Sequence, residues 1–260
     1  MPRFARLLLT NDDGFDAPGI QVLERVALSL ADEVWIVAPD HDQSGVSHAL
    51  SLHSPLRVTE HGPRRFSVSG TPGDCVAMAA RKLMPAAPDL VLSGINRGAN
   101  LGVETVFSGT VGAAMTALLL GLPAIALSQA FTDRAAVPWA TAEAHAAGVI
   151  ARFAGGDWAE RAILNVNFPD CAPDSVGPVT LTRQGAGLVE DLQIISGTDP
   201  RQTDYHWLKI ARVGRQDEPD SEAYAMGQGR IAVTPLQFER TNREALIRLQ
   251  AGQGYSVSGA

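Results

Sequence analysis

The chain reads as an α/β protein: a Rossmann-like, doubly wound, mostly parallel sheet with a β-rich C-terminal extension. Three observations predict this. Short apolar runs recur at residues 7–10, 34–37, 89–95, 124–128 and 162–168, the pattern of strands buried on both faces of a sheet. Stretches with helical period lie between several of them, and such alternation builds a parallel sheet covered by helices. From about residue 170 the texture changes, with Pro, Asp and Gly frequent and the apolar runs shorter. The expected division is 1–169 for the core and 170–260 for the extension.

The elements follow in order. Residues 7–10 form the first strand, closed by the polar turn Asn11-Asp12-Asp13-Gly14. Pro18 suits the first turn of a helix, and Ile20, Leu23, Val26, Ala27 and Leu30 keep its period. Residues 34–37 form the second strand, followed by a polar loop, His41-Asp42-Gln43-Ser44-Gly45, and two or three β-rich stretches up to residue 69. Thr71-Pro72-Gly73-Asp74 opens a helix that carries Val76, Ala79, Ala80 and Leu83. Residues 89–95 are a further strand, leading into a Gly/Asn-rich loop at 96–102. The apolar helix at 110–120 stops at Gly121 and Pro123, typical terminators. A strand at 124–128, a helix at 139–153 and a strand at 162–168 complete the core. In the extension, residues 179–181, 206–210 and 231–233 read as strands and 241–249 as a terminal helix.

Composition narrows the function classes. The chain has 260 residues, 45% apolar and 19% charged, with a net charge of −7. That is a globular chain with a sizeable core, and its acidity argues against a nucleic-acid polymer as partner. An acidic enzyme still binds small anions when a cation sets the local field. Cys75 and Cys171 make no disulfide framework and suit a reduced compartment. The apolar runs near 7–9 and 113–120 are too short for a signal segment or a membrane span. A cytoplasmic protein with no membrane partner is expected.

The chemistry gathers at strand ends, beyond which open α/β sheets bind their ligands. Asp12 and Asp13 follow the first strand. Two adjacent carboxylates repel unless a positive charge lies between them, and a hard divalent cation supplies one. The alternative is that both are turn formers making local hydrogen bonds. Ser44 and Asn96, at neighbouring strand ends, offer neutral oxygens that complete a shell without adding charge. Ser108-Gly109-Thr110 opens the apolar helix, where free N–H groups and the dipole favour phosphate. Ser108 or Thr110 also suits a helix cap. Asn11 and Asn100 flank the same region and reach toward the same anion. Other patterns exclude themselves. Gly185-Ala186-Gly187 lacks the third glycine of a dinucleotide fingerprint. Ser44 is in no nucleophile elbow. His48, beside the Ser44 loop, suits a structural histidine better than a proton carrier.

The ordered motifs resemble the SurE family, the stationary-phase survival proteins that are metal-dependent 5′(3′)-nucleotidases. They are Leu9-Thr10-Asn11-Asp12-Asp13-Gly14, Ala17-Pro18-Gly19-Ile20, Val37-Ala38-Pro39-Asp40, Gln43-Ser44-Gly45, Gly70-Thr71-Pro72, Asp74-Cys75-Val76, Ser93-Gly94-Ile95-Asn96-Arg97-Gly98, Ser108-Gly109-Thr110-Val111 and Val233-Thr234-Pro235-Leu236. The resemblance implies a metal shell of Asp12, Asp13, Ser44 and Asn96 for one Mg²⁺ or Mn²⁺ per subunit. It implies phosphate contacts from Asn100, Ser108, Gly109 and Thr110, and a C-terminal extension used in homodimer or homotetramer assembly. One departure is Asp220-Ser221-Glu222, where family members often have Gly-Thr-Asp.

The expected reaction is hydrolysis of nucleoside 5′- and 3′-monophosphates, with short polyphosphate as a further substrate. Asp12 or Asp13 orients or deprotonates the attacking water, or one of them attacks and forms an aspartyl phosphate. The competing reading is a nucleotide-binding regulator without turnover.

Overall fold

The computed structural model describes residues 4–154, 156, 158, 161–212 and 218–253; the remaining parts of the expected core and extension lie outside them. The order is β1 (Phe4–Thr10), α1 (Pro18–Leu28), β2 (Ala31–Pro39), β3 (Val58–Gly62), β4 (Arg65–Val68) and α2 (Pro72–Met78), which runs into a π turn (Ala79–Leu83). Then come β5 (Leu90–Arg97), a 3-10 turn (Gly102–Val106), α3 (Gly109–Leu119), β6 (Ala124–Gln129), α4 (Trp139–Phe153) and β7 (Ile163–Phe168). The chain ends with β8 (Gly177–Leu181), β9 (Val189–Thr198), β10 (Asp204–Arg212), α5 (Glu222–Gly227), β11 (Arg230–Leu236) and α6 (Arg243–Gln253).

One nine-stranded sheet has the order β3-β4-β2-β1-β5-β6-β7-β11-β8. Every neighbour pair from β4 across to β7 is parallel. β3 runs antiparallel on one edge and β11 antiparallel beside β7. The chain builds outward from β1 through β2 to β4, then returns to the other side of β1 with β5, β6 and β7. The order therefore reverses between β1 and β5, and a crevice opens beyond their carboxyl ends.

Alternation along β1 divides the core in two. Leu7 and Leu9 pack with Ile20, Leu23 and Val26 of α1 and with Val149 and Ile150 of α4. Leu8 points the other way and packs with Val76 of α2 and Val111 and Met115 of α3. α3 is buried through nearly all its length, as a helix apolar on every side must be. The result is the expected doubly wound core, helices covering both faces of a mostly parallel sheet.

The C-terminal residues divide in two. β8 and β11 join the main sheet, which thus runs across position 170. Among the described residues β9 and β10 pair only with each other, as a separate antiparallel hairpin. Two elements had no expected counterpart: β9, whose residues are mostly exposed, and the short α5. β5 extends through Arg97, so Asn96 stands at a strand end and not in a loop. No helix is long and apolar enough to cross a membrane among the described residues.

Candidate active site

Asp12 and Asp13 leave β1 at the reversal point. Asn11 shapes the turn: its Nδ2 donates to the Gly14 carbonyl at 2.8 Å. Gly14 takes φ 104°, a value that favours glycine, against the His41 backbone. Asn11 is fully buried, and its Oδ1 has no partner. Thr10 Oγ1 and Ser93 Oγ, register partners across β1 and β5, are buried and unpartnered too. Buried polar atoms nearly always have partners, so this is a floor suited to a polar ligand.

Asp12 is locked from α3. Its Oδ1 accepts Thr110 Oγ1–H at 2.6 Å and its Oδ2 accepts Thr110 N–H at 3.0 Å. The approach requires Gly109: a Cβ there would lie 2.7 Å from Asp12 Cβ. Ser108 caps the helix, its Oγ accepting Val111 N–H at 3.1 Å. Burial outweighs the Thr110 hydrogen bonds and, aided by the Asp13 charge, raises the Asp12 pKa from 3.8 to about 6.

Asp13 is held from β5. Its Oδ2 accepts Arg97 N–H at 2.9 Å, and the Arg97 guanidinium lies 4.0 Å away. Burial raises its pKa, against the lowering effect of Arg97. Asp13 and Arg97 line a small cavity of about 120 Å³ with Ala17, Pro18, Gly19 and Trp139. Arg97 is the neighbour that motif reading passed over, because its backbone N–H makes the contact and no residue-type signal marks that.

The other expected residues are each held by contacts of their own. Gln43 N–H donates to the Asp12 carbonyl at 2.7 Å, which brings the exposed Ser44 loop beside Asp12. Asn96 adjoins Arg97, and its Nδ2 donates to the Gly98 carbonyl at 2.8 Å. Asn100 is buried and fastened on several sides. Its Nδ2 donates to Ser128 Oγ at 2.8 Å, its N–H donates to Asn167 Oδ1 at 2.8 Å, and its carbonyl accepts Asn165 Nδ2 at 2.9 Å.

His48 faces elsewhere. It lines a cavity of about 460 Å³ with Val111 and Met115 of α3, and with Pro235 and Arg240. Gly109, by contrast, presents its Cα to Asp12.

The donor set fits a hard divalent cation: two adjacent carboxylates whose ionised forms burial disfavours, near a hydroxyl and an amide. Among the described residues no group of three or more His, Cys, Asp or Glu forms a metal cage, so neutral oxygens would have to complete the shell.

A doubly wound α/β fold with an acid pair at its reversal point and a helix start closing on one acid defines a ligand-binding protein of Rossmann type. Comparison with known proteins then narrows the class. The model of the family described as survival protein SurE matches residues 7–191. The chain is 62% identical over 254 residues to a Burkholderia lata protein named 5′-nucleotidase SurE 1, covering 97% of this chain and 98% of that one. It is 47% identical to the Brucella canis 5′-nucleotidase SurE, covering 96% and 98%. The crystal structure of the SurE protein from Aquifex aeolicus superposes with a TM-score of 0.81 at 32% identity, covering 95% and 99%. The chain belongs to the SurE family.

Proposed function

We propose that this protein is a 5′-nucleotidase, a divalent-metal-dependent phosphomonoesterase that converts nucleoside 5′-monophosphates to nucleoside and phosphate. The observation that carries the reading is the closure of the α3 start on Asp12 through Thr110, at the reversal point where Asp13 also faces a cavity. Family membership and the names of its relatives support it. Activity on 3′-monophosphates and short polyphosphate belongs to the same proposal.

Asp12, Asp13, Ser44 and Asn96 would hold Mg²⁺ or Mn²⁺, one per subunit. When bound, the cation polarises a phosphoryl oxygen and lowers the pKa of water. The protein's part is to hold and orient. Asp12 is fixed by Thr110 on both oxygens, so Thr110 serves the site through Asp12. Asp13 keeps capacity beyond its Arg97 contact and borders the cavity, which makes it the group to orient or deprotonate the attacking water. Ser108, Gly109 and Asn100 would steady the phosphate oxygens as charge develops, and Asn11 shapes the turn below them.

A homodimer or homotetramer is proposed through the C-terminal elements, since the β9–β10 hairpin exposes Ile194, Trp207 and Leu208. Cytoplasmic location is proposed with it; both cysteines are free.

The test is a phosphate-release panel of nucleoside 5′- and 3′-monophosphates and tripolyphosphate with Mn²⁺ or Mg²⁺. Release from AMP that stops in chelator is expected. Nucleotide binding with no release under any cation would overturn the reading in favour of a regulator.

A further inference from the structure

The segment between Asn100 and Ser108 is clamped from the C-terminal part of the chain. Gly102 N–H donates to Glu222 Oε1, and Gly185 N–H donates to Glu222 Oε2 at 2.7 Å. Gln184 Nε2 donates to the Gly102 carbonyl at 2.8 Å and to Thr105 Oγ1 at 3.0 Å. Arg212, at the base of the hairpin, pairs with Glu104 at 2.9 and 3.1 Å. Gly102 has φ 53°, and a Cβ there would lie 2.2 Å from the Gly187 backbone. The two segments thus meet backbone to backbone.

Glu222 is only 1% exposed. Burying a carboxylate is costly unless its oxygens are well bonded, and here both oxygens take backbone N–H groups of two separate loops. The segment so fixed is largely buried, with Leu101, Glu104 and Thr105 all under a tenth exposed, and it joins the two proposed phosphate contacts Asn100 and Ser108. Ser221 keeps its cap on α5, its Oγ accepting Tyr224 N–H at 3.2 Å. The acid after it spans both glycines, one oxygen to Gly102 and the other to Gly185.

We infer that Glu222 is a positioning residue for the phosphate site. With Gln184 it holds the 100–108 segment so that Asn100 and Ser108 meet the substrate phosphate. The inference rests on the phosphomonoesterase reading above. Misplacing such groups by about 1 Å is enough to cost on the order of 100-fold.

Glu222→Gln keeps the shape but turns an amide N–H toward one of the two backbone donors. With AMP and Mn²⁺, both KM and the inhibition constant of inorganic phosphate should rise about tenfold or more, with the smaller change in kcat. Glu222→Asp keeps both acceptors and should fall between the two. A merely structural role would lower the melting midpoint and the active fraction while leaving KM and phosphate inhibition unchanged; that result in folded protein would overturn the inference. Should Glu222→Gln fail to fold, Gln184→Ala carries the test, because it removes two clamp bonds from an exposed residue. Wild-type constants in it would overturn the inference equally. Should wild type itself release no phosphate from AMP, the functional reading fails separately. Hydrogen exchange over residues 98–108 then decides the clamp: faster exchange in Glu222→Gln supports it, and equal exchange refutes it.

Discussion

Asp12 and Asp13 are neighbours in sequence, yet different parts of the fold hold them. Thr110 engages both oxygens of Asp12, whereas Asp13 takes one backbone N–H from Arg97. Burial raises the pKa of both, so in the metal-free protein at neutral pH each ionised carboxylate opposes folding. Asn is nearly isosteric, and at position 12 its amide can still accept Thr110 N–H while donating to Thr110 Oγ1. Asp12→Asn and Asp13→Asn should therefore lose at least ~100-fold in kcat/KM, with metal-free melting midpoints equal to or above wild type. Phosphate release and melting curves on the same preparations check this. A normally active variant would remove that carboxylate from the mechanism. His48 supplies a pH-dependent case away from the site. Burial, and next the charge of Arg240, hold its pKa below the ordinary 6.5. The folded state then takes up a proton less readily than the unfolded one, so this contribution is complete above 6.5 and is lost as pH falls through the folded-state value. His48→Gln should flatten the difference in stability between pH 7.5 and pH 5, read as the gap between the two denaturation profiles. Parallel profiles would show that the ring is not neutral in the fold.

At the scale of elements, α3 and the hairpin present opposite situations. α3 is covered on all sides, and its first turn supplies the contacts to Asp12. Among the described residues the hairpin pairs strand to strand with itself alone and is tied to the core through Arg212 on Glu104, with Ile194 62%, Trp207 67% and Leu208 65% exposed. A two-stranded ribbon with an apolar surface is marginal alone in water, and such a surface marks an interaction site. α6 likewise exposes Ile247 and Leu249. Replacing Trp207 and Leu208 by Glu should dissociate the proposed assembly without unfolding the core, because neither residue belongs to either core cluster. Light scattering at micromolar concentration checks this; an assembly of wild-type mass would exclude the hairpin as the contact. The same exposure explains why β9 escapes sequence reading: buried strands announce themselves by apolar runs, whereas Val189–Thr198 mixes Glu, Asp, Gln and Ser with its apolar residues. α5, a single capped turn and a half, is too short to show a period.

For the whole molecule, the proposed metal site draws on three strand ends and a helix start, so a cation bound there would tie distant segments together. Ligand binding to the folded state alone stabilises by about 2.7 kcal/mol at a hundred times Kd. Mn²⁺ should raise the melting midpoint of wild type, chelator should return it, and both shifts should shrink in Asp12→Asn and Asp13→Asn. A midpoint indifferent to Mn²⁺ at concentrations that restore activity would place the cation outside the folded protein's own ligands. The sequence by itself determined the buried strands, the helices between them and the acidic turn after β1, since periodicity and turn chemistry are local properties. Ordered motifs were enough to identify the family before any coordinates. What only the tertiary structure decided is who holds whom. Thr110 N–H on Asp12, Arg97 N–H on Asp13 and Glu222 on Gly102 join residues 98, 84 and 120 positions apart. All three acceptors are side-chain carboxylates, but all three donors are backbone N–H groups, set by where the backbone passes, and such groups carry no mark in the amino-acid sequence. The return of β11 into the main sheet beside β7 is of the same kind. Its apolar run says strand, but its neighbour is chosen by the edge left open when six parallel strands have already paired.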